Sequence, residues 1–207
     1  APEIAYQVEQ EFGYSPEEIF SSIFYVNRPE TFFKYYREWM LKPHLEPSAG
    51  FYALAELERR GKLQCSIANN VHNLPGRAGC QKVLNLHGTI YDNECPRCGR
   101  KYSMEYIRDA KRVPLCEDCM AVIRPKVLLF GEQVDNRMMT AAAEEIAKAD
   151  VLLLLGTSIG SGLCERYVKY FEGETLIIIN AAEHFTDAKA DIVLREEVKT
   201  ALPKIVL

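Results

Sequence analysis

The 207-residue sequence has no apolar stretch approaching the roughly 18 residues of a membrane-spanning helix. Its first residues, APEIAYQVEQ, carry neither a basic flank nor an apolar run, so we expect no secretory signal peptide. The net charge is only −4, which gives no general attraction to nucleic acid or anionic lipid. These absences predict a cytoplasmic protein that does not associate with membranes.

Disulfide bonds are not expected either. A chain of this length buries roughly 70% of its unfolded surface, so its core needs no cross-links. Seven cysteines, an odd number, without an export signal predict reduced thiols. The apolar fraction of 48% and the charged fraction of 26% are those of an ordinary globular protein.

Four of the cysteines form two CxxC pairs separated by seventeen residues, namely Cys95, Cys98, Cys116 and Cys119. This spacing is typical of a zinc site built from two knuckles. Because sulfur would fill all four positions of a tetrahedral ion, we predict a structural rather than a catalytic zinc ion. The alternative is a thioredoxin-like redox pair or unbound thiols. Cys65, Cys80 and Cys164 are interpreted as small buried apolar side chains.

Short, continuous apolar runs predict strands buried on both faces of a parallel sheet. The runs are 126–131 (KVLLFG), 151–156 (VLLLLG) and 175–180 (TLIIIN), with further strands expected near 64–68 and 82–86. Helices are predicted over 135–149, capped by Asp135, and over 162–172. The alternation of strand and helix predicts an α/β fold with a Rossmann-like, doubly wound parallel sheet.

Further helices are predicted before and between these strands. One runs from Ser48 to Arg60 and is closed by Gly61. Residues 15–41 are expected to form two helices, the second beginning near Pro29. This second helix carries bulky side chains that we interpret as core, a ligand-binding box being the alternative. They are Phe32, Phe33, Tyr36, Trp39 and Met40.

The cysteine segment interrupts the alternation of strand and helix. We interpret it as a zinc ribbon that, with the N-terminal helices, forms a smaller module inserted into the sheet domain. The predicted boundaries are 1–41 for the helical part of the small module, 42–89 for the first part of the Rossmann-like domain, 90–125 for the zinc-binding module and 126–207 for the second part of the Rossmann-like domain.

Ligands in open α/β sheets bind at the carboxyl ends of the strands, so the loops after the apolar runs are the candidate site. The small side chains of the loop GTSIGSG at 156–162 would let its backbone amides contact phosphates. The alternative is that its glycines serve only to form the turn between strand and helix. Polar residues follow the other runs, and we expect them to converge on one crevice. They are Asn69 and Asn70, His87, Glu132 in the segment FGE, and Asn180.

The order of these motifs resembles the sirtuin family of NAD-dependent protein deacylases. RAGCQKVLNLHG is followed by the two CxxC pairs, IRPKVLLFGE, ADVLLLLGTS and LIIIN, over roughly residues 15–205. The resemblance implies that NAD and zinc are the cofactors and that an acylated lysine of a protein is the substrate. It also implies that NAD lies between the Rossmann-like domain and the smaller zinc module.

The resemblance assigns roles to individual residues. His87 matches the family's catalytic histidine, a general base toward the nicotinamide ribose, and imidazole suits this because it titrates near neutral pH. The alternative for His87 is a turn cap before Gly88. Asn70 matches the asparagine beside the same ribose. The other matches are Gly156, Thr157 and Ser158 with the NAD phosphate and ribose loop, Asn180 with the adenosine ribose, and Phe130, Gly131 and Glu132 with the segment that pairs with substrate peptide.

The sequence departs from the family pattern at three places. No GAGxS loop ending in PDFR occurs in residues 1–14. We expect this loop to precede Ala1 in the complete gene product. The alternative is that the protein is a remnant that does not bind NAD in the family's way. The family's TQNID reads ANNVH here. Asn69 and His72 stand where the family has a glutamine and an acidic residue close to NAD, and the alternative for His72 is a loop residue without a ligand role. Pro75 replaces a histidine and is expected to alter loop shape.

Three functions remain open from the sequence. The first is an NAD-dependent lysine deacylase, the second a mono-ADP-ribosyltransferase or NAD glycohydrolase, and the third a non-catalytic peptide-binding module. Nucleic acid is not an expected partner, because the basic residues of the zinc segment alternate with acidic ones and predict a solvated mixed-charge surface. The basic residues are Arg97, Arg100, Lys101, Arg108, Lys111 and Arg112.

Overall fold

The computed structural model of the chain describes residues 2 to 41 and 45 to 206. The helices are α1 (Pro2–Phe12), α2 (Pro16–Ile19), α3 (Ser22–Asn27), α4 (Pro29–Tyr35), α5 (Ala49–Arg59), α6 (Leu74–Arg77), α7 (Met104–Asp109), α8 (Asn136–Ala147), α9 (Gly162–Val168) and α10 (Val198–Val206), with a π-helix at Tyr36–Leu41 and a 3₁₀-helix at Phe185–Lys189. The strands are β1 (Ser66–Ala68), β2 (Val83–Asn85), β3 (Gly88–Glu94), β4 (Lys101–Tyr102), β5 (Arg124–Val127), β6 (Val151–Leu155), β7 (Thr175–Ile179) and β8 (Ile192–Leu194). Among the described residues, no helix is both long and apolar enough to cross a membrane.

The chain divides into two compact units. The first unit comprises Ala1–Leu45, Asn69–His72 and His87–Val134, and the second comprises Glu46–Ala68, Asn73–Leu86 and Asp135–Leu207. This division differs from the predicted boundaries, because residues 69–72, 87–89 and 126–134, together with Leu45, group with the first unit. Residues 42–44, next to the predicted boundary after residue 41, lie outside the described residues.

The second unit contains a parallel sheet that is buried on both faces. Strands β6, β7 and β8 pair in that order, with Leu154 opposite Ile178 and Leu155 opposite Ile179. Ile179 packs against α5 and α10, whereas Ile178 packs with α9 side chains such as Val168. Because successive side chains of a strand point to opposite faces, this alternation places helices on both sides. The continuous apolar runs at 151–156 and 175–180 are therefore correctly interpreted.

A second parallel pair, β1 with β2, completes the strands of this unit. Ser66 lies opposite Val83 and Ala68 opposite Asn85, so the strands predicted near 64–68 and 82–86 are present. Helix α8 begins after Asp135, whose carboxylate accepts hydrogen bonds from the first turn, and Ile146 on its inner face packs near Leu84. The predicted helix from Ser48 is also present as α5, and Gly61 follows it with a φ of +68°.

The first unit contains an antiparallel sheet in the order β4–β3–β5. The prediction that 126–131 is a parallel strand is wrong, because β5 ends at Val127 and runs antiparallel to β3. The physical reason lies in the burial pattern. Ile123, Val127 and Leu129 are buried, whereas Lys126 and Phe130 are exposed. A strand with one solvent-exposed face alternates between buried and exposed side chains in this way. Leu128 and Leu129 obscure this alternation in the sequence.

The helices of the first unit are more numerous than predicted. The first of the two helices expected in residues 15–41 is divided into α2 and α3, because Ser21 forms an isolated bridge to Phe130 and caps α3. The second begins at Pro29 as predicted. Phe32, Phe33 and Tyr36 are fully buried, which confirms their interpretation as core. Trp39 and Met40 are half-buried and pack against buried residues.

The contact between β3 and β5 requires a glycine at position 88. Gly88 has a φ of +71°, and an added Cβ would lie 1.7 Å from the carbonyl oxygen of Lys126. We expect Gly88→Ala to lower the free energy of unfolding by more than about 2 kcal/mol, because backbone atoms have to move apart. Urea unfolding of the variant and the parent chain measures this change.

Gly13→Ala is the matched control for this substitution. Gly13 has a similar φ of +74°, but nothing lies within 4 Å of its added Cβ. Its replacement should cost only the left-handed backbone conformation, about 1 kcal/mol. Equal losses for the two variants would contradict the steric argument for Gly88.

Candidate active site and zinc centre

The two CxxC segments form a pair of similar turns. In each turn the carbonyl oxygen of the first cysteine accepts a hydrogen bond from the backbone N–H four residues further along the chain. Gly99 donates to Cys95 and Met120 donates to Cys116, both at 2.9 Å. Gly99 has a φ of +75° and Met120 a φ of +58°, so both turns close in the left-handed region. Their shared backbone shape brings the four sulfur atoms to within 4.8 Å of one another.

The sulfur cluster has the dimensions of a zinc site. A tetrahedral ion with Zn–S bonds of about 2.3 Å separates its ligand sulfurs by roughly 3.8 Å, which agrees with this cluster. The Tyr102 hydroxyl donates to Cys116 Sγ at 3.2 Å and accepts from the backbone N–H of Glu117 at 2.8 Å. The hydrogen bond from Tyr102 lowers the pKa of the Cys116 thiol to about 6, which favours the thiolate that zinc requires.

The other three cysteines belong to the second unit. Cys80 is buried, as predicted, whereas Cys65 and Cys164 are only half-buried. Burial raises the pKa of the Cys65 thiol to about 11, so it stays neutral. The basic side chains around the zinc turns pair with acidic neighbours, as Arg100 does with Asp118 at 2.7 Å and Arg108 with Asp109 at 2.8 Å. This pairing agrees with the mixed-charge surface expected there.

The first unit brings His87 and the segment 69–72 to the same end of β3. His87 immediately precedes β3, and its carbonyl accepts from Leu128 N–H at 2.8 Å. The carbonyl of Val71 accepts from Ile90 N–H at 2.9 Å, which ties the segment to the same strand. The imidazole of His87 is half-buried and makes no hydrogen bond within the part of the chain that the structure describes. A proton acceptor needs such a nitrogen without an internal partner.

The residues of the predicted ANNVH motif have different environments. Asn70 Oδ1 accepts from the backbone N–H of His72 at 3.1 Å, an Asx turn that orients the Asn70 amide. Asn69 is exposed, and His72 is half-buried. The short turn therefore carries three polar side chains, Asn69, Asn70 and His72, with the apolar Val71 between the last two, and this bond orients the amide of Asn70.

The segment Phe130, Gly131 and Glu132 is less open to a peptide than expected. Phe130 N–H donates to Phe20 O, and Phe130 O accepts from Ser22 N–H, both at 3.0 Å. These bonds use the backbone groups of Phe130 that a peptide strand would need. The Phe130 side chain itself is 56% exposed, and Gly131 follows it with a φ of +89°. The backbone N–H and C=O of Phe130 are therefore already engaged within the chain.

The carboxylate of Glu132 holds this segment in place. Glu132 Oε2 accepts from Leu129 N–H at 2.8 Å, and both of its oxygens lie 2.7 Å from Arg124 Nη2. Arg124 also lies over the ring of Tyr25 at 5.2 Å from its centroid. Sequence reasoning missed Arg124. The only signal for it was its place next to the apolar run in IRPKVLLFGE.

The second unit brings together the loops that follow β6 and β7. Gly156 N–H donates to Ile179 O at 2.9 Å, and Asn180 N–H donates to Leu194 O at 3.1 Å. The carboxyl ends of these adjacent parallel strands thus place Gly156 and Asn180 side by side. The side chain of Asn180 makes no hydrogen bond within the described residues, so its amide is available to a ligand.

The remaining hydroxyl groups of the loop after β6 differ in their availability. Thr157 Oγ1 donates to Ser161 Oγ at 3.0 Å, and Ser161 Oγ accepts from Cys164 N–H at 3.4 Å, which caps α9. The hydroxyl of Ser158 has no such bond within the described ranges. Gly156 has a φ of +67°, and the groups of these loops that could hold a nucleotide are the glycine backbone, the Ser158 hydroxyl and the Asn180 amide.

The sulfur cluster predicts one zinc ion for each chain. Metal analysis under reducing conditions should find about one equivalent of zinc, and Cys98→Ser should remove it and unfold the turns, because structural zinc sites fold with their metal. The same analysis of Cys164→Ser should give the parent value, since Cys164 belongs to the second unit. Less than half an equivalent in the parent chain would contradict the four-cysteine assignment.

The hydroxyl of Tyr102 is expected to strengthen zinc binding. Tyr102→Phe should weaken zinc affinity by roughly tenfold or more, because a hydrogen bond to a ligand sulfur is lost. Competition with a chromogenic chelator measures the affinity. Tyr106→Phe is the control, since its hydroxyl donates to Leu115 O at 2.7 Å and its ring lies 4.6 Å from that of Tyr102. Equal effects of the two variants would contradict a role for the Tyr102–sulfur bond.

Comparison with known proteins places the chain among related enzymes. The model of the Sir2 family matches residues 5–161. An NAD-dependent protein deacetylase of Clostridium acetobutylicum is 33% identical over 202 residues, which cover 97% of this chain and 82% of that protein. The solved structure of a Sir2 homologue in complex with NAD shares 30% identity and a TM-score of 0.82, over 96% of this chain and 84% of its own. A Sir2 structure bound to acetylated peptide shares 27% identity and a TM-score of 0.79, over 96% and 87%. The chain belongs to the Sir2 family.

Proposed function

We propose that this chain is an NAD-dependent protein lysine deacylase that transfers the acyl group to ADP-ribose and releases nicotinamide. The observation that carries the proposal is the imidazole of His87, half-buried beside the segment of Asn70 and without a hydrogen bond in the described residues. Three related proteins support NAD and an acylated peptide as the substrates. They are the deacetylase of Clostridium acetobutylicum and the proteins in the NAD complex and in the acetyl-peptide complex.

The proposed chemistry divides between cofactor and protein. NAD, when bound, would supply an electrophilic ribose carbon with nicotinamide as its leaving group, and the acyl oxygen of the substrate lysine would be the nucleophile. His87 accepts a proton from a ribose hydroxyl, which its uncommitted ring nitrogens permit. Asn70, whose Oδ1 is fixed by His72 N–H, would offer its amide N–H groups to the same ribose. Asn69 and His72 are assigned to the nicotinamide end, where His72 replaces the family's acidic residue.

Other parts of the ligands are assigned to further loops. Gly156, Thr157 and Ser158 would hold the NAD phosphates and a ribose, and Asn180 the adenosine ribose. This makes the second unit the Rossmann-like domain. The acylated peptide would pair with the exposed chain at Gly131 rather than with Phe130, whose backbone groups already bond to Phe20 and Ser22. Phe130 contributes its exposed ring, and Glu132 keeps the segment in shape through Leu129 and Arg124.

Zinc bound by Cys95, Cys98, Cys116 and Cys119 would be structural, since four sulfur ligands leave no position for water or substrate. Its proposed contribution to the reaction is to fix the ends of β3 and β5. We also propose a cytoplasmic location, because thiolate ligands persist in a reducing compartment.

The reaction is tested by mass spectrometry of its products. The complete gene product, incubated with NAD and an acetyl-lysine peptide, should give deacetylated peptide, nicotinamide and O-acetyl-ADP-ribose in equal amounts. His87→Ala should lower kcat by roughly 10²- to 10⁴-fold, because general-base catalysis contributes this much. Loss of NAD without acyl peptide would instead indicate a glycohydrolase, and labelled ADP-ribose on protein would indicate a transferase.

Two variants separate the proton transfer from a loss of folding. His87→Asn keeps a hydrogen-bonding side chain but accepts no proton, so it should be as inactive as His87→Ala. Asp92→Asn, on the exposed part of the same strand, should retain the parent rate. Zinc content and circular dichroism should be unchanged in all three. Full activity of His87→Asn, or peptide binding with NAD and peptide left intact, would contradict the proposed function.

A further inference from the structure

A hydrogen bond joins the loop after β6 to the 3₁₀-helix that follows β7. The backbone N–H of Gly160 donates to Thr186 Oγ1 at 2.9 Å, across 26 residues of sequence. Gly160 lies two residues after Ser158, and Thr186 lies in the first turn of the 3₁₀-helix Phe185–Lys189. This bond is a specific tie between the loop assigned to NAD and its neighbour within the second unit.

The imidazole of His184 orients the Thr186 hydroxyl. His184 Nδ1 lies 2.7 Å from Thr186 Oγ1 and accepts the backbone N–H of Thr186 at 3.3 Å. Because the geometry makes Nδ1 the acceptor of this N–H, we assign the ring proton to Nε2. The Thr186 hydroxyl therefore donates to Nδ1 and leaves its oxygen lone pairs for Gly160 N–H. The direction of the chain of bonds is fixed, from Gly160 through Thr186 to His184.

An ion pair between buried Asp187 and the exposed Arg195 anchors the other end of this turn. Asp187 is 1% exposed, and its Oδ2 accepts from His184 N–H at 3.2 Å and from Arg195 Nη1 at 2.8 Å. Arg195 Nη1 also donates to Ala182 O at 2.9 Å. Arg195 directly follows β8, so residues after β6, β7 and β8 belong to one network at the carboxyl edge of the sheet. The rest of the network therefore holds Thr186 still.

The contact is also too close for any side chain at position 160. An added Cβ on Gly160 would lie 2.6 Å from His184 Cε1 and 3.0 Å from Thr186 Oγ1. Real Cβ atoms do not approach other atoms to 2.6 Å, so the loop has to lie directly against the imidazole. Hydrogen bonding and packing select the same loop position.

We propose that Thr186, oriented by His184, is a positioning residue that holds the loop Gly156–Ser161 in the shape that binds NAD. This inference rests on the proposed function, because it concerns the same cofactor loop. It adds residues that touch no reacting atom and lie outside the motifs that resemble the sirtuin family.

Substitutions of Thr186 test the proposal through NAD binding. Thr186→Val keeps the shape of the side chain and removes its hydroxyl, and Thr186→Ser keeps the hydroxyl. Calorimetry on the complete gene product should show an NAD Kd about tenfold higher for Thr186→Val and near the parent value for Thr186→Ser, since one hydrogen bond to the half-buried N–H of Gly160 is lost. The KM for NAD should rise with it, whereas kcat and the KM for acyl peptide should change little.

His184 provides a second matched pair. His184→Asn places an oxygen at the position of Nδ1 and should restore NAD binding, because asparagine is a good helix N-cap. His184→Ala removes the acceptor and should behave like Thr186→Val. An NAD Kd within twofold of the parent in Thr186→Val, or equal losses in Thr186→Val and Thr186→Ser, would overturn the proposal.

Amide hydrogen exchange without NAD separates this proposal from the proposed function. Exchange at Gly160 should become faster in Thr186→Val and stay at the parent rate in Thr186→Ser. If the parent protein bound no NAD, the proposed function would fail, while this exchange would still report whether Thr186 holds the loop. Unchanged exchange at Gly160 in Thr186→Val would overturn the positioning role by itself.

Discussion

The contact between the backbones of Gly88 and Lys126 is the constraint on which the first unit depends. It allows β3 and β5 to approach, with Gly88 opposite Val127 and His87 O accepting from Leu128 N–H. At the other end of the same strands, Glu94 lies opposite Arg124 and leads directly into Cys95. One strand pair therefore carries His87 and Phe130 at one end and the zinc turns at the other. A metal ion without an open position influences the site by fixing the strands that support it.

Local patterns in the sequence predicted the features whose cause is local. The CxxC turns each need only a few adjacent residues, and their spacing predicted a sulfur cluster that is present. Strands β6 and β7 are apolar on both faces because helices cover both, so their continuous runs were interpreted correctly. KVLLFG resembles these runs in composition, but one of its faces is exposed to solvent at Lys126. Composition alone does not distinguish these two environments, because the difference lies in which elements pack against the strand.

Contacts between distant residues could not be predicted from any pattern. Ser22 bonds to Phe130 across 108 residues, and Gly160 to Thr186 across 26. Such bonds form only once the chain has folded, and no local sequence pattern identifies the residues that form them. The resemblance to sirtuins identified FGE as a segment for peptide pairing, but it did not reveal that Phe130 has both backbone groups engaged. Family patterns indicate which residues are important and leave their hydrogen bonds to be observed.

His87 and His184, the two histidines in the proposals, differ in their hydrogen bonds. This difference distinguishes a residue that transfers a proton from one that only positions a neighbour. His87 makes no hydrogen bond among the described residues, so either ring nitrogen is available to exchange a proton with a ligand. At His184, Nδ1 is occupied by the hydroxyl and the N–H of Thr186, and the backbone N–H is bound by buried Asp187. Protonation at Nδ1 would remove the acceptor that orients Thr186. A general base has to change protonation state during each turnover, whereas a positioning group works only while its state is constant. His87 and His184 therefore cannot exchange roles, although both follow strands and both lie beside loops assigned to NAD.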